Sequence, residues 1–242
     1  MPVVSVAFCP HPPVLVPEVA AGAAAELADL RAACLDAVAA LAGAAPDAVI
    51  ILGAGPANGW HGSAACGSLA AYGVPGPLPG ATVAAPNGRR SGGRPAAHPL
   101  PLSLTIGAWL LDRAAVGVPA YAVAVADGEP APTLAADLTS LGGRVALLVM
   151  GDGAACHGEK APGYAHPDAA GFDAAVAAAM STGDAAALRD LDPPTGRRVL
   201  AAGVLVWRVA GALLDDRRWS GRLRRHEAPY GVGYLVADWQ QA

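Results

Sequence analysis

The sequence has little charge and almost no lysine. Asp, Glu, Lys and Arg make up 15% of the 242 residues, the formal net charge is −4, and Lys160 is the only lysine among the 16 basic residues. Nucleic-acid binding depends on basic side chains that neutralise phosphates, so this balance argues against a nucleic-acid partner. The hydrophobic content of 54% argues against a disordered chain, and the length suffices for one domain with a large core.

The sequence also lacks cysteine motifs and membrane-length apolar runs. Its four cysteines show no Cys-x-x-Cys spacing, which argues against the usual zinc and disulfide patterns and favours reduced thiols. No basic segment precedes the first apolar run, so a secretory signal is not predicted. The longest uncharged apolar run near the carboxyl end, residues 199–207, is too short to cross a bilayer. We therefore expect a cytoplasmic protein without a membrane partner.

Apolar runs alternate with helical patterns along the chain. Buried strands are predicted at residues 3–8, 49–52, 120–125 and 145–150, and helices at 21–42, 103–113, 133–141, 168–180 and 197–214. The tail predicts a hairpin over 222–237, and the Gly- and Pro-rich residues 72–101 predict a long irregular loop. This order predicts the α/β class: a single three-layer α/β/α domain spanning 1–242, with a mostly parallel central sheet and an antiparallel C-terminal extension. The first two strands form a βαβ unit and should be parallel.

Three prolines surround one histidine where the first strand ends. Proline locks its own φ angle and pushes the preceding residue out of the helical region, so Pro10-His11-Pro12-Pro13 has a stiff backbone. His11 is thereby held in place before anything binds. The same four residues would also serve as a plain strand-ending turn with the histidine in water, and the sequence leaves both interpretations open.

Polar residues follow each predicted strand at its carboxyl end. They are His11 after the first, the segment 53–61 with Gly55, Asn58 and His61 after the second, Asp127 after the third, and Asp152 and His157 after the fourth. In open α/β sheets, ligands bind at this edge, so a small-molecule substrate or ligand is the expected partner. The glycine-rich turn 53–56 lacks a dinucleotide fingerprint and a P-loop lysine, and an ordinary strand-to-loop turn is favoured there.

Four marks, spread over nearly the whole chain, carry a family resemblance. They are His11-Pro12-Pro13, Gly151-Asp152, the segment from Ala161-Pro162-Gly163-Tyr164 to Phe172-Asp173, and Ala228-Pro229-Tyr230-Gly231-Val232-Gly233-Tyr234. With these marks the chain resembles the class III extradiol ring-cleavage dioxygenases, the LigB-like superfamily. The resemblance implies a catechol-type substrate and Fe(II) held by two histidines and one carboxylate, with three coordination positions left free.

The resemblance implies roles for single residues, with departures. It makes His11 the first metal ligand; the histidine expected directly after the second strand is missing, and His61 stands several residues later. The acid–base segment lacks its serine and histidine, which leaves Asp152 and His157 as the catalytic candidates. No acidic residue lies between 192 and 215, where the carboxylate ligand is expected. The candidate substrate contacts are Pro12, Gly55, Asn58 and Tyr230.

These departures leave two function classes open. One is a divergent ferrous dioxygenase that cleaves a catechol-type ring. The other is a metal-free protein that uses the same crevice for a small molecule, or a partner-binding protein that uses the loop 72–101 with Arg89, Arg90 and Arg94. The sequence leaves both the presence of iron and the formation of a homo-oligomer undecided.

Overall fold

A seven-stranded sheet with strands from both ends of the chain lies at the centre of the protein. The computed structural model describes residues 3–62, 65–84, 99–126, 134, 136 and 142–242. Its strands are β1 (Val3–Cys9), β2 (Ala48–Ala54), β3 (Gly59–His61), β4 (Cys66–Leu69), β5 (Val74–Thr82), β6 (Ala120–Val125), β7 (Val145–Met150), β8 (Trp219–Glu227) and β9 (Tyr234–Gln241). Its α-helices are α1 (Pro17–Ala20), α2 (Ala28–Ala42), α3 (Leu102–Arg113), α4 (Asp168–Thr182), α5 (Ala185–Arg189), α6 (Pro193–Arg198) and α7 (Val204–Leu214).

The order of the strands places β7 at the middle of the sheet. The order is β3-β6-β2-β7-β1-β9-β8, in which β6, β2, β7 and β1 are mutually parallel while β3 and β9 run antiparallel to their neighbours. β4 and β5 form a separate two-stranded sheet. β1 and β7 are buried along their whole length, as expected of continuous apolar runs in parallel strands covered on both faces.

Two apolar layers cover the two faces of the sheet. Helices α2 and α3 pack on one face, and α4 and α7 pack on the other. The indole of Trp239 joins the second layer to the sheet, because its Nε1 donates to the carbonyl of Met180 at 2.7 Å and its ring meets Phe8 edge-on. The predicted α/β/α class with a mostly parallel sheet is confirmed.

The βαβ prediction is correct in direction, but the two strands are not neighbours. β1 and β2 are parallel, and each pairs with β7, which lies between them. A crossover helix makes the two strands that it joins parallel, but it does not make them neighbours. A strand from much later in the chain can therefore lie between them, as β7 does here. As a result, His11 and Asp152 follow neighbouring strands.

Two of the predicted helices are wrong in extent. The first long helix begins at Ala28, because residues 17–27 form α1 and a 3-10 turn, and Ala21 has a positive φ of 46°. The predicted helix over 197–214 is divided into α6 and α7, since Leu200 has a φ of 54°. A positive φ in a residue other than glycine is incompatible with a continuous right-handed helix.

The predicted irregular loop 72–101 contains a strand. β5 covers residues 74–82 despite three prolines, because it pairs only with β4 and buries Leu78 and Ala81 beneath it. Proline is tolerated in such an edge strand, where no further ladder needs its missing N–H group. Residues 85–98 with Arg89, Arg90 and Arg94, the segment 127–133 with Asp127, and most of the predicted helix 133–141 lie outside the described residues.

Within the described ranges, no helix is both long and apolar enough to span a bilayer.

Replacing either of two helical glycines by alanine should change the stability of the protein, in opposite directions at the two positions. A Cβ on Gly107 of α3 would lie 2.6 Å from Ile51 on β2, whereas no described atom lies within 4 Å of that position on Gly171 of α4. We expect Gly107→Ala to lower the free energy of unfolding by about 1–3 kcal/mol through overpacking. Gly171→Ala should raise it by about 0.5–1 kcal/mol through helix propensity. Urea unfolding followed by circular dichroism measures both, and midpoints that move in the same direction would contradict the packing of α3 on β2.

Candidate functional site

The carboxyl ends of the parallel strands bring His11 and Asp152 together. Cys9 of β1 is in register with Met150 of β7, and the backbone pairing continues beyond both strands, since Gly151 N donates to Cys9 O at 3.0 Å. Asp152 is therefore opposite the residues that follow Cys9. Its Oδ1 accepts the backbone N–H of His11 at 2.7 Å. The parallel pairing thus supplies the first predicted contact of the site.

The imidazole of His11 is nearly buried and incompletely hydrogen-bonded. His11 is 8% exposed, and its Nδ1 lies 3.6 Å from Asp152 Oδ1, too far for a hydrogen bond. No described group bonds to that nitrogen. Burying a polar nitrogen without a partner costs about 1–3 kcal/mol, so a ligand or water that bonds to it would gain that free energy. The histidine of the proline-rich turn therefore does not face open water.

The glycines on either side of Asp152 are required by close contacts. A Cβ on Gly151 would lie 2.6 Å from the Cα of Gly203 and 2.9 Å from the indole nitrogen of Trp207. A Cβ on Gly153 would lie 2.5 Å from Asp173 Oδ1. The segment Gly151-Asp152-Gly153 thus passes between α7 and α4, and only Asp152 has room for a side chain.

Tyr234 and two thiols lie beside the His11–Asp152 pair. Burial raises the pKa of the Tyr234 hydroxyl, and the negative charge of Asp152 raises it further. Burial, the Cys9 thiol and the Asp152 charge together raise the pKa of the Cys34 thiol, so it stays protonated. The Tyr234 hydroxyl and the Cys34 thiol are therefore neutral near pH 7.

A second histidine–carboxylate pair is formed by His157 and Asp173. His157 Nε2 and Asp173 Oδ2 are 2.6 Å apart, and Asp173 Oδ1 accepts the N–H of Ala154 at 2.8 Å. Asp173 is fully buried, whereas the His157 side chain is 17% exposed. A buried carboxylate is tolerated only when its oxygens are satisfied, and these two donors satisfy both.

The two predicted catalytic residues, Asp152 and His157, are not partners of each other. The side chain of Asp152 turns toward His11, whereas the Cβ position of the next residue, Gly153, points at Asp173. Consecutive residues of an extended segment face opposite sides, so the two pairs lie on the two sides of this loop. Sequence reasoning chose both residues but assigned neither its partner.

The structure does not bring the two predicted metal ligands together. His61 ends β3, which is four strand positions from β1, or roughly 19 Å at the usual strand spacing of about 4.8 Å. Two histidine nitrogens bound to one metal ion lie within about 4 Å of each other. His61 also pairs with Ala122, three residues before the end of β6, and partial burial lowers its pKa.

The described residues do not fit the iron site that the family resemblance implies. That site needs two histidines and one carboxylate at a single point, and no group of three or more His, Cys, Asp or Glu side chains in the described ranges is placed to hold a metal ion. His157 is bound to Asp173, and His61 lies across the sheet. We derive no step through iron.

The four residues predicted to contact substrate mostly contact other parts of the protein. Asn58 Oδ1 accepts the N–H of Ala126 at 2.7 Å, and a Cβ on Gly55 would lie 2.7 Å from that of Ala124 on β6. Pro12 O accepts the N–H of Leu15 in the turn after His11. Tyr230 donates its hydroxyl to Glu26 Oε2 at 2.8 Å and stays partly exposed. Only Pro12 and Tyr230 belong to segments next to His11 and Asp152.

Asp173, Glu26 and Tyr234 were not predicted as site residues. A signal for Asp173 was present, because it falls on the buried stripe of α4, where Ala169, Phe172, Val176 and Met180 are apolar. A lone carboxylate on an apolar stripe requires a buried donor. Glu26 and Tyr234 have no comparable signal, since their roles depend on contacts between distant parts of the chain.

Comparison of the sequence with protein-family models found no match, and comparison with curated proteins found none either.

The buried pair predicts a loss of stability on neutralising Asp173. Asp173→Asn replaces a charge-assisted hydrogen bond with a neutral one, and we expect the free energy of unfolding at pH 7 to fall by about 1.5–3 kcal/mol. The matched control is Asp168→Asn on the same helix. Asp168 is exposed and 3.6 Å from Arg198, so its loss should stay below about 1 kcal/mol. Equal urea midpoints for the two variants would contradict a supporting role for Asp173.

Proposed function

We propose that this protein binds a small hydroxyl-bearing molecule at the His11–Asp152 pair and does so without a resident metal ion. The observation that carries the proposal is the buried, unpartnered Nδ1 of His11 beside the Asp152 carboxylate. The arrangement is preorganised, because the prolines fix the histidine backbone and its N–H group fixes the carboxylate. Little ordering entropy is therefore lost on binding.

Hydroxyl groups match the atoms that the site presents. Asp152 is an acceptor when ionised, and its Oδ1 already bonds to the His11 N–H group. The neutral imidazole adds an acceptor or a donor according to its tautomer. Two adjacent hydroxyls on one molecule would bond to both groups at once. The catechol-type compounds implied by the family resemblance have this arrangement and are suitable probes.

The metal-free interpretation is preferred over the ferrous dioxygenase for a geometric reason. The dioxygenase needs a second histidine within coordination distance of His11, and the nearest predicted one lies across the sheet. The binding interpretation needs only groups that are in contact with each other. It also uses the carboxylate directly beside His11 as a hydrogen-bond acceptor for the ligand.

The proposal also covers the cellular location of the protein and the class of its partner. All four cysteines lie in the described ranges and are free thiols, three of them buried. Reduced thiols favour a cytoplasmic location. We further propose a small molecule, and not a nucleic acid, as the partner, because the net charge of −4 is unfavourable for phosphate binding.

Removal of the imidazole tests the site. Catechol at a concentration about 100-fold above its Kd should raise the stability of the natural protein by about 2.7 kcal/mol, seen as a higher Tm. In His11→Ala this stabilisation should fall to about 1.4 kcal/mol or less at the same concentration, because binding weakens by at least about tenfold when a buried polar contact is lost. Differential scanning fluorimetry measures both shifts.

His166→Ala is the matched control, since His166 is partly exposed on the loop before α4. It should keep the full catechol shift. Pretreatment with a chelator should also leave the shift unchanged. A shift that needs added Fe(II) would overturn the metal-free proposal, and an undiminished shift in His11→Ala would remove His11 from the site.

A further inference from the structure

One hydrogen bond joins two distant segments beside the His11–Asp152 pair. Tyr230, in the turn between β8 and β9, donates its hydroxyl to Glu26 Oε2 at 2.8 Å. Glu26 belongs to residues 17–27, which follow the turn after His11 and lead into α2. The contact spans 204 residues of sequence, so it forms only when both segments are folded against each other.

The two segments meet next to the proposed site. The backbone of Gly233, three residues after Tyr230, bonds to Gly153 and Ala154, the two residues that follow Asp152. Asp152 and Tyr230 both raise the pKa of Tyr234. Asp152 in turn bonds to His11. Access to His11 is restricted, since only 8% of the residue is exposed.

The Tyr230 side of this contact is firmly anchored. Gly231 O accepts the N–H of His157 at 3.1 Å, and Gly233 exchanges backbone bonds with Gly153 and Ala154. Gly231 has a φ of 74°, and a Cβ there would lie 2.5 Å from Ala161. The turn is thus fixed to the loop that follows β7.

The Glu26 side is held more weakly. Residues 17–23 form a four-residue helix and one 3-10 turn, neither of which has a side-chain cap or a buried residue. Between them Ala21 adopts a φ of 46° and a ψ of −117°, a conformation that residues with a side chain rarely adopt. The Arg31 side chain donates hydrogen bonds to the carbonyl oxygens of Leu15 and Ala24. A strained residue between short helical turns is a suitable hinge.

We propose that residues 17–26, which lie between the buried Val16 and Leu27, are a lid over the His11–Asp152 site, turning at Ala21 and closed by the Tyr230–Glu26 hydrogen bond. The lid rests on the proposed function, because it controls access to that site. Its opening, however, can be measured without any ligand. Tyr230 then acts as a closing contact and not as a substrate contact.

The test is the rate at which diethyl pyrocarbonate acylates His11 in the full-length protein, followed by peptide mass spectrometry. When opening is fast, this rate is proportional to the open population. Loss of one hydrogen bond should raise that population about five-fold. We expect this increase at His11 in Tyr230→Phe and in Glu26→Ala. Glu26→Gln keeps an acceptor oxygen and should give a smaller increase.

The double variant shows whether the two residues act through one bond. Both single changes remove the same contact, so Tyr230→Phe with Glu26→Ala should again give about a five-fold increase. An increase of about 25-fold in the acylation rate of the double variant would overturn the closing role of the Tyr230–Glu26 hydrogen bond, because independent effects multiply. An unchanged rate at His11 in both single variants would overturn the lid.

The controls separate opening from general loosening. His166 and His226, both accessible, report on the same sample and should be acylated at unchanged rates in every variant. Tyr72→Phe, a partly exposed tyrosine in the turn between β4 and β5, should leave His11 unchanged. Faster acylation at all histidines would overturn the lid in favour of global destabilisation. If catechol does not bind but His11 is acylated about five-fold faster in the variants, the proposed ligand is wrong and the lid is supported.

Discussion

The carboxylate of Asp173 holds together the part of the protein on which the site depends. It is fully buried and accepts bonds from the Ala154 backbone and the His157 ring. Gly153 and Gly233 must be glycines because Cβ atoms there would overlap its oxygens. Asp173 thereby fixes the loop after β7 to α4, and backbone hydrogen bonds of Gly233 to Gly153 and Ala154 fix the same loop to the start of β9. Asp152, the neighbour of Gly153, is presented to His11 as a result.

The insertion of β7 between β1 and β2 decides which polar residues meet. If β1 and β2 were neighbours, the turn after β2 would lie beside His11. Instead, the loop after β7 occupies that place, and His61 returns along β3 on the far side of β6. The chemistry at His11 is therefore that of an imidazole beside a carboxylate. The position of β7 in the strand order is therefore enough to separate the two histidines, His11 and His61, that were predicted to bind one metal ion.

Most elements could be predicted from the sequence, because strands β1, β2, β6 and β7 are continuous apolar runs and α3 and α4 have helical apolar spacing. The carboxyl-edge location of His11 and Asp152 also followed from that pattern. The departures occur where tertiary contacts override local pattern: Ala21 and Leu200 adopt positive φ angles, and β5 forms through three prolines. Strand order and the partners of Asp173, Glu26 and Tyr230 depend on contacts between distant residues, which a single sequence does not encode visibly.

The neighbours of β1 have a consequence for how the chain acquires its shape. β1 is made first but lies between β7 and β9, so its two edges are completed only by residues 145–150 and 234–241. Closing such long loops costs entropy before any contact compensates it, and folds dominated by distant pairings form slowly. During synthesis β1 is an apolar strand with two open edges, which is a template for wrong pairing. The nascent chain therefore depends on the late arrival of its last strand, and shielding of β1 by a chaperone would be of most use before that moment.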